Sequence, residues 1–183
     1  IDASALDAYL TFGYVPEHHS IFKGVEKLGP GCRLVYENGE ITTRKYWDFD
    51  YTESDENVSE SECIEMIRAK ISDAVNVRLV SEVPLGAFLS GGVDSSSIVA
   101  MMSRLSDAPV KTFSIGFNED TFNELKFARV AAEKFGTEHH EFVVTPDLVE
   151  TVDELVWHFD EPFADSSALP TYMVSKLARE FVT

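Results

Sequence analysis

Positive charge is scarce in this sequence: 15 Lys and Arg stand against 32 Asp and Glu, a formal net charge of -17 over 183 residues. A surface of that sign repels phosphate backbones and anionic lipid headgroups, which excludes nucleic acid and membrane surfaces as general partners. Long apolar runs are missing too, none approaching the roughly 20 residues a membrane helix needs, and the opening IDASALDAYL lacks the basic-then-apolar design of a signal peptide. A soluble, cytoplasmic protein is expected. The two cysteines, Cys32 and Cys63, lie far apart and outside any CxxC spacing, so reduced thiols are expected instead of a disulfide. The nucleotide fingerprints GxxxxGK[ST] and GxGxxG are both absent.

What is present suffices for a folded core. Hydrophobic residues make up 44% of the chain and aromatics 11%, enough apolar surface to offset the entropy of ordering. The length suits one domain or one and a half. The chain begins with Ile1 and ends in AREFVT with no stop signal, so both ends read as cut from something longer.

Residues 3–12 suit a short helix, and the following stretch is broken by Pro16, Gly24, Gly29, Pro30 and Gly31. CRLVYENGEITTRKYW holds two β-rich runs around Asn38-Gly39, whose tolerance of positive φ predicts a tight hairpin. Between Asp48 and Glu62 there are seven acidic residues and no Lys or Arg. A solvated linker is the plain reading of that composition, with an acidic interaction site as the alternative. The expected organisation is an N-terminal segment over 1–47, a linker over 48–58 and a larger domain over 59–183.

The larger domain alternates. Ile64, Ile67, Ile71, Val75 and Leu79 mark one helix face, with Ser59 as its cap. VPLGAFL reads as a strand, followed by a helix carrying Ile98, Met101, Met102 and Leu105. VKTFSIGF is the next strand, Phe127, Val130, Ala131 and Phe135 the next helix face, and Gly136 its stop. EHHEFVV is a third strand; Leu148, Val152, Leu155, Val156 and Phe159 mark another helix, and Leu169, Tyr172, Met173 and Leu177 the last. This order predicts an α/β fold with a parallel sheet and helices on both faces, preceded by the hairpin.

The stretch LSGGVDSSS falls where the first of these strands gives way to a helix, the place where open α/β sheets bind ligands. Gly91 and Gly92 let backbone N–H groups converge on one anion, while Ser90, Ser95 and Ser96 offer hydroxyls. The following helix points its positive end at the same spot. Asp94 would repel a phosphate unless a cation lay between them, and magnesium, which takes one or two carboxylates plus phosphate oxygens, resolves the conflict. The plainer alternative is a glycine turn with Asp94 or Ser95 as a helix cap.

SGGVDSSS resembles the ATP-pyrophosphatase loop of ligases that split ATP into AMP and pyrophosphate. YLTFGYVPEHHSIFKGVEKLGPGCRLVYENGEITTRKYWD resembles the passage joining the glutaminase and synthetase domains of glutamine-dependent asparagine synthetases. KTFSIGF, GTEHHEF and DEPFADSSALPTYMVSKLAR resemble successive synthetase segments. The resemblance spans essentially the whole chain and implies an adenine nucleotide alpha hydrolase-like fold.

It also implies that Ser90, Gly91, Gly92, Asp94, Ser95 and Ser96 cradle ATP, with Asp94 on Mg2+. Leu89 would lie by the nucleotide, and the Ile115 backbone by the adenine; for both, ordinary strand core is the alternative. The implied reaction adenylates the aspartate side chain and then forms asparagine with glutamine-derived ammonia. A related amidotransferase, a β-lactam-forming ligase or a nucleotide-binding module without ligase activity are the competing readings. The implied partners are small molecules, and a homodimer of the parent protein is compatible with them.

Two departures temper this. The family's glutaminase nucleophile is an N-terminal cysteine, whereas residue 1 is Ile, so glutamine hydrolysis is not expected from this chain. The family continues past the position of Thr183 into a second loop that closes on pyrophosphate, so weak ATP binding and no asparagine formation are expected of this piece alone. Asp165, Ser166 and Ser167 are candidates for substrate contact, the two serines also for a helix cap. The pairs His18-His19 and His139-His140 do not share a face and read as surface or core residues, not metal ligands. Trp47, Trp157 and the thirteen Phe are expected in the core.

Overall fold

The computed structural model describes residues 1–51, 58–118, 123–144 and 148–183. The chain forms two compact units, Ile1–Glu56 with Val149–Ser166, and Asn57–Leu148 with Ser167–Thr183. Part of the acidic stretch, residues 52–57, lies outside the described residues.

In the first unit, helix α1 (Ala3–Phe12) starts because the Asp2 carboxylate accepts the amides of Ser4 and Ala5, and it stops at Gly13, φ 80°. Strands β1 (Cys32–Glu37) and β2 (Glu40–Lys45) pair antiparallel, joined by Asn38 and Gly39 with φ of 52° and 88°. Those two left-handed residues are the expected Asn-Gly turn. The core of this unit is small: Ala5, Val15 and Ile21, with Tyr9 against them. It also holds α5 (Leu148–Phe159), along which Val152, Val156 and Phe159 are exposed. Trp47 and Trp157, expected inside, are 54% and 79% exposed. Trp47 packs edge-on against Phe49 at 4.6 Å, so aromatic area is covered locally by neighbours instead of by a core.

The second unit carries the sheet. Helix α2 (Glu60–Arg78) begins at a capping box: Ser59 Oγ accepts the Glu62 amide while the Glu62 carboxylate accepts the Ser59 amide. Strands β3 (Gly86–Phe88), β4 (Lys111–Gly116) and β5 (Glu138–Val143) are parallel in the order β3-β4-β5. They alternate with α3 (Val93–Leu105) and α4 (Leu125–Phe135), and α6 (Ala168–Ala178) follows.

The pleat of β4 sorts the layers. Phe113 and Ile115 join Phe142 under Val174 and Ala178 of α6. On the opposite face Leu89, Val99, Ala128, Ala131 and Ala132 form a second core beneath α3 and α4. A third cluster, Val75, Met102 and Val110, seats α2 on α3.

The helix faces differ from the periodicity reading. In α3 the fully buried residue is Val99, while Ile98 and Leu105 are exposed, and in α5 Val152, Val156 and Phe159 face solvent. In α4, Phe127 and Val130 are exposed, and the inward face is Leu125, Ala128, Ala131 and Ala132. At Ala128 the α4 backbone runs hard against Gly91. In α2 only the C-terminal part of the face packs, and Ile64 and Ile67 are exposed. In α6 the buried residues are Val174 and Ala178, one step on from Met173 and Leu177, and they pack with Phe113. Strand β3 is also shorter than the run VPLGAFL.

Candidate functional site

Strand β3 delivers the chain to the site. Phe88 pairs with Phe113, and the Leu89 amide adds one further bond to the Phe113 carbonyl at 2.9 Å. The chain then turns through Ser90, Gly91 and Gly92 into α3. Gly91 has φ 81°, open to glycine at little cost. Gly92 is the helix cap, φ -68° and ψ 165°, and no side chain caps α3. Its first-turn N–H groups therefore face the loop with the positive end of the helix dipole behind them, the arrangement that favours an anion.

Asp94 and Ser95 both lie inside α3, at its second and third positions, so neither is the cap. Ser95 is bound into the loop: its Oγ donates to the Gly92 carbonyl (3.3 Å), accepts the Ser90 amide (3.3 Å), and lies 3.0 Å from Ser90 Oγ. Ser90 Oγ in turn accepts the Gly92 amide at 3.3 Å. Ser96 is half-buried in the same first turn, its amide on the Gly92 carbonyl.

Asp94 is exposed. Among the described residues no group of three or more His, Cys, Asp or Glu converges to enclose a cation. One exposed carboxylate beside N–H donors for phosphate does fit a magnesium ion that arrives on phosphate oxygens and keeps much of its water.

A cavity of about 270 Å³ opens beside the loop, at the carboxyl ends of β3 and β4. Leu89, Ser90 and Ile115 line it, so the structure brings three of the candidates to one cavity. Leu89 is also core, 1% exposed. Phe88, Phe117, Leu125 and Pro170 supply apolar wall, which suits a flat ring system better than a charged group. Ser114 and Glu124, which sequence reasoning missed, line the cavity as well. The signal for Ser114 was a hydroxyl on the buried, parallel strand β4. For Glu124 it was only nearness to the start of α4.

Asp165 and Ser166 belong to the first compact unit and Ser167 to the second. Ser167 holds the cap position of α6 without a side-chain capping bond.

Helix α4, whose first turn abuts the loop, is tied to the sheet by charge. Arg129 grips Glu141 of β5 through two nitrogens, at 2.8 and 2.6 Å, and this bond holds the Glu141 carboxyl below its ordinary range. His139 Nδ1 lies 2.8 Å from Thr112 Oγ1, and its Nε2 is 3.4 Å from Glu141. Burial pushes the His139 pKa down, against the opposing pull of Glu141.

Residues 66–183 match the family model described as asparagine synthase. The chain is 38% identical over its whole length to asparagine synthetase (glutamine-hydrolysing) 1 of Bacillus subtilis, covering 29% of that protein. It is 37% identical over its whole length to a Methanocaldococcus jannaschii protein named as a glutamine-hydrolysing asparagine synthetase, covering 36%. It thus spans about a third of the length of the curated relatives it matches. Among solved structures, the NH3-dependent NAD synthetase of Campylobacter jejuni aligns with 63% of this chain and 52% of its own, at 14% identity and a TM-score of 0.41. With the family model covering the sheet, the loop and every helix from α3 onward, the chain belongs to the asparagine synthase family.

Proposed function

We propose that the turn from Ser90 to Ser96 holds the phosphates of ATP, and that the cavity beside Leu89 and Ile115 receives the adenine. The observation that carries this reading is the meeting of the glycine turn and the uncapped start of α3 with an apolar cavity of about 270 Å³. Magnesium, when bound through Asp94 and the phosphates, would neutralise charge on the phosphoryl oxygens.

In the intact protein the side-chain carboxylate of aspartate would attack the α-phosphorus, forming an acyl–O–P bond as pyrophosphate leaves. Ammonia drawn from glutamine would then attack the acyl carbon and expel AMP, giving asparagine. The residues of this chain would contribute N–H donors at the anion, a dry wall along the base, and a fixed distance between the two. The reaction would take place in the cytoplasm; among the described residues no helix is long and apolar enough to cross a membrane.

The test is aspartate-dependent exchange of labelled pyrophosphate into ATP, measured on the protein that carries this chain. Exchange supported by a different carboxylic acid and not by aspartate would overturn the acceptor and leave the loop assignment standing. Failure of that protein to bind Mg-ATP would overturn both.

A further inference from the structure

The peptide between Leu89 and Ser90 is where strand becomes loop, and two hydroxyls from different elements hold its two ends. The Leu89 carbonyl accepts a hydrogen bond from Ser114 Oγ of β4. The Ser90 amide donates to Ser95 Oγ of α3 at 3.3 Å. Ser114 is 4% exposed and Leu89 is 1% exposed, so this hydrogen bond is made between two buried residues.

Ser95 Oγ reaches the Gly92 carbonyl at 3.3 Å, and with its single proton placed there the 3.0 Å contact between Ser90 Oγ and Ser95 Oγ is donated by Ser90. Ser95 then accepts twice and donates once, which exhausts its capacity. Ser114 likewise spends its proton on Leu89. Both hydroxyls serve the backbone, and the direction in which the amides of Gly91 and Gly92 leave the strand depends on the peptide they hold.

We infer that Ser114 is a positioning residue for the loop: with Ser95 it fixes the plane of the 89–90 peptide and so aims the N–H donors at the anion. The anion is the ATP phosphate only if the proposed function holds, and the inference rests on that reading for its consequence in binding. Its geometry stands independently. Loss of the Ser114 hydroxyl leaves a buried carbonyl without a partner and lets the peptide rotate.

The test compares Ser114→Ala, Ser114→Thr and, as a control elsewhere on the same strand, Thr112→Val, in the whole chain. Thr112 is fully buried and bonded to Thr137 and His139, away from the loop. Hydrogen exchange at the Ser90 and Gly92 amides and Mg-ATP affinity are measured alongside the melting temperature. Ser114→Ala should speed exchange at those amides and weaken Mg-ATP by about tenfold, the worth of one buried hydrogen bond. Ser114→Thr, which keeps the hydroxyl, should restore both. Thr112→Val should lower the melting temperature and leave both loop readouts at the parent level.

Unchanged loop exchange in Ser114→Ala, or equal loosening of the loop in Thr112→Val, overturns the inference. If the protein that carries this chain binds no Mg-ATP while Ser114→Ala still loosens the Ser90 amide, the proposed function fails and the positioning of the peptide stands.

Discussion

A β-carbon placed on Gly91 would lie 2.3 Å from the carbonyl carbon of Phe127, inside the first turn of α4, and 2.5 Å from the Ala128 nitrogen. Both obstacles are backbone, so neither can swing aside, and φ at Gly91 is 81° besides. Gly92 differs: its φ is negative and a β-carbon there would meet only Ser90 Oγ, at 3.4 Å. Gly91→Ala is therefore expected to cost about 3 kcal/mol or more through clash and strain together. Gly92→Ala should stay within about 1 kcal/mol. Urea unfolding of the two variants checks the contrast.

Asp94→Ala should abolish measurable Mg-ATP binding, while stability shifts by less than about 1 kcal/mol, since the residue is exposed in the first turn of a helix. Titration calorimetry with and without magnesium checks it. Affinity equal to that of the parent would leave Asp94 as a first-turn charge and nothing more.

Stability should fall on acidification in two stages. The folded-state pKa of His139 lies below its ordinary 6.5 because the ring is partly buried, so the unfolded chain takes up the proton first. Its contribution is present above about pH 6.5 and is lost as pH falls through the depressed folded value. Glu141, also depressed, contributes above its ordinary 4.5 and loses that contribution at lower pH still. Arg129 and Glu141 face the ring from α4 and β5, and His140 neighbours it in sequence; the first and last of these help lower its pKa while Glu141 opposes them. Midpoints of urea unfolding between pH 3 and 8 read out both stages, and Arg129→Met should flatten the lower one.

Phe113→Ala should cost about 3–5 kcal/mol, because the ring is 1% exposed and lies under Val174, Ala178 and Phe181. Loss of the near-ultraviolet circular dichroism signal at moderate urea would report it.

Ser59→Ala should cost about 1 kcal/mol by leaving the first turn of α2 without its capping acceptor. Ser59→Asp should recover most of that, read from the midpoint of thermal unfolding.

The hairpin, the helix cap at Ser59 and the stop at Gly136 were legible because each is decided within a few residues. Asn38 and Gly39 carry their own backbone preference wherever the chain places them. The inward faces of α4 and α6 were not legible, since they depend on spacing between elements. Phe127 is the more hydrophobic residue, yet Ala128 is the one that fits beside the sheet and the loop. The same holds for the site. Glycine, serine and aspartate at the strand end announced an anion loop, but nothing in the order of residues said that Ser95 would turn inward, or that Ser114, 25 positions from Leu89, would reach its carbonyl.

Strand β3 supports the loop on three residues and, among the described residues, pairs with β4 alone. On its other side the Thr183 amide bonds the Pro84 carbonyl at 3.3 Å, just before the strand, and the outward backbone groups of β3 itself have no strand partner among the described residues. Concentrated solutions of this chain should therefore tend to associate strand to strand, which would strain the loop that β3 carries. Nucleotide affinity should then decline as protein concentration rises, and dilute samples would show the site at full strength.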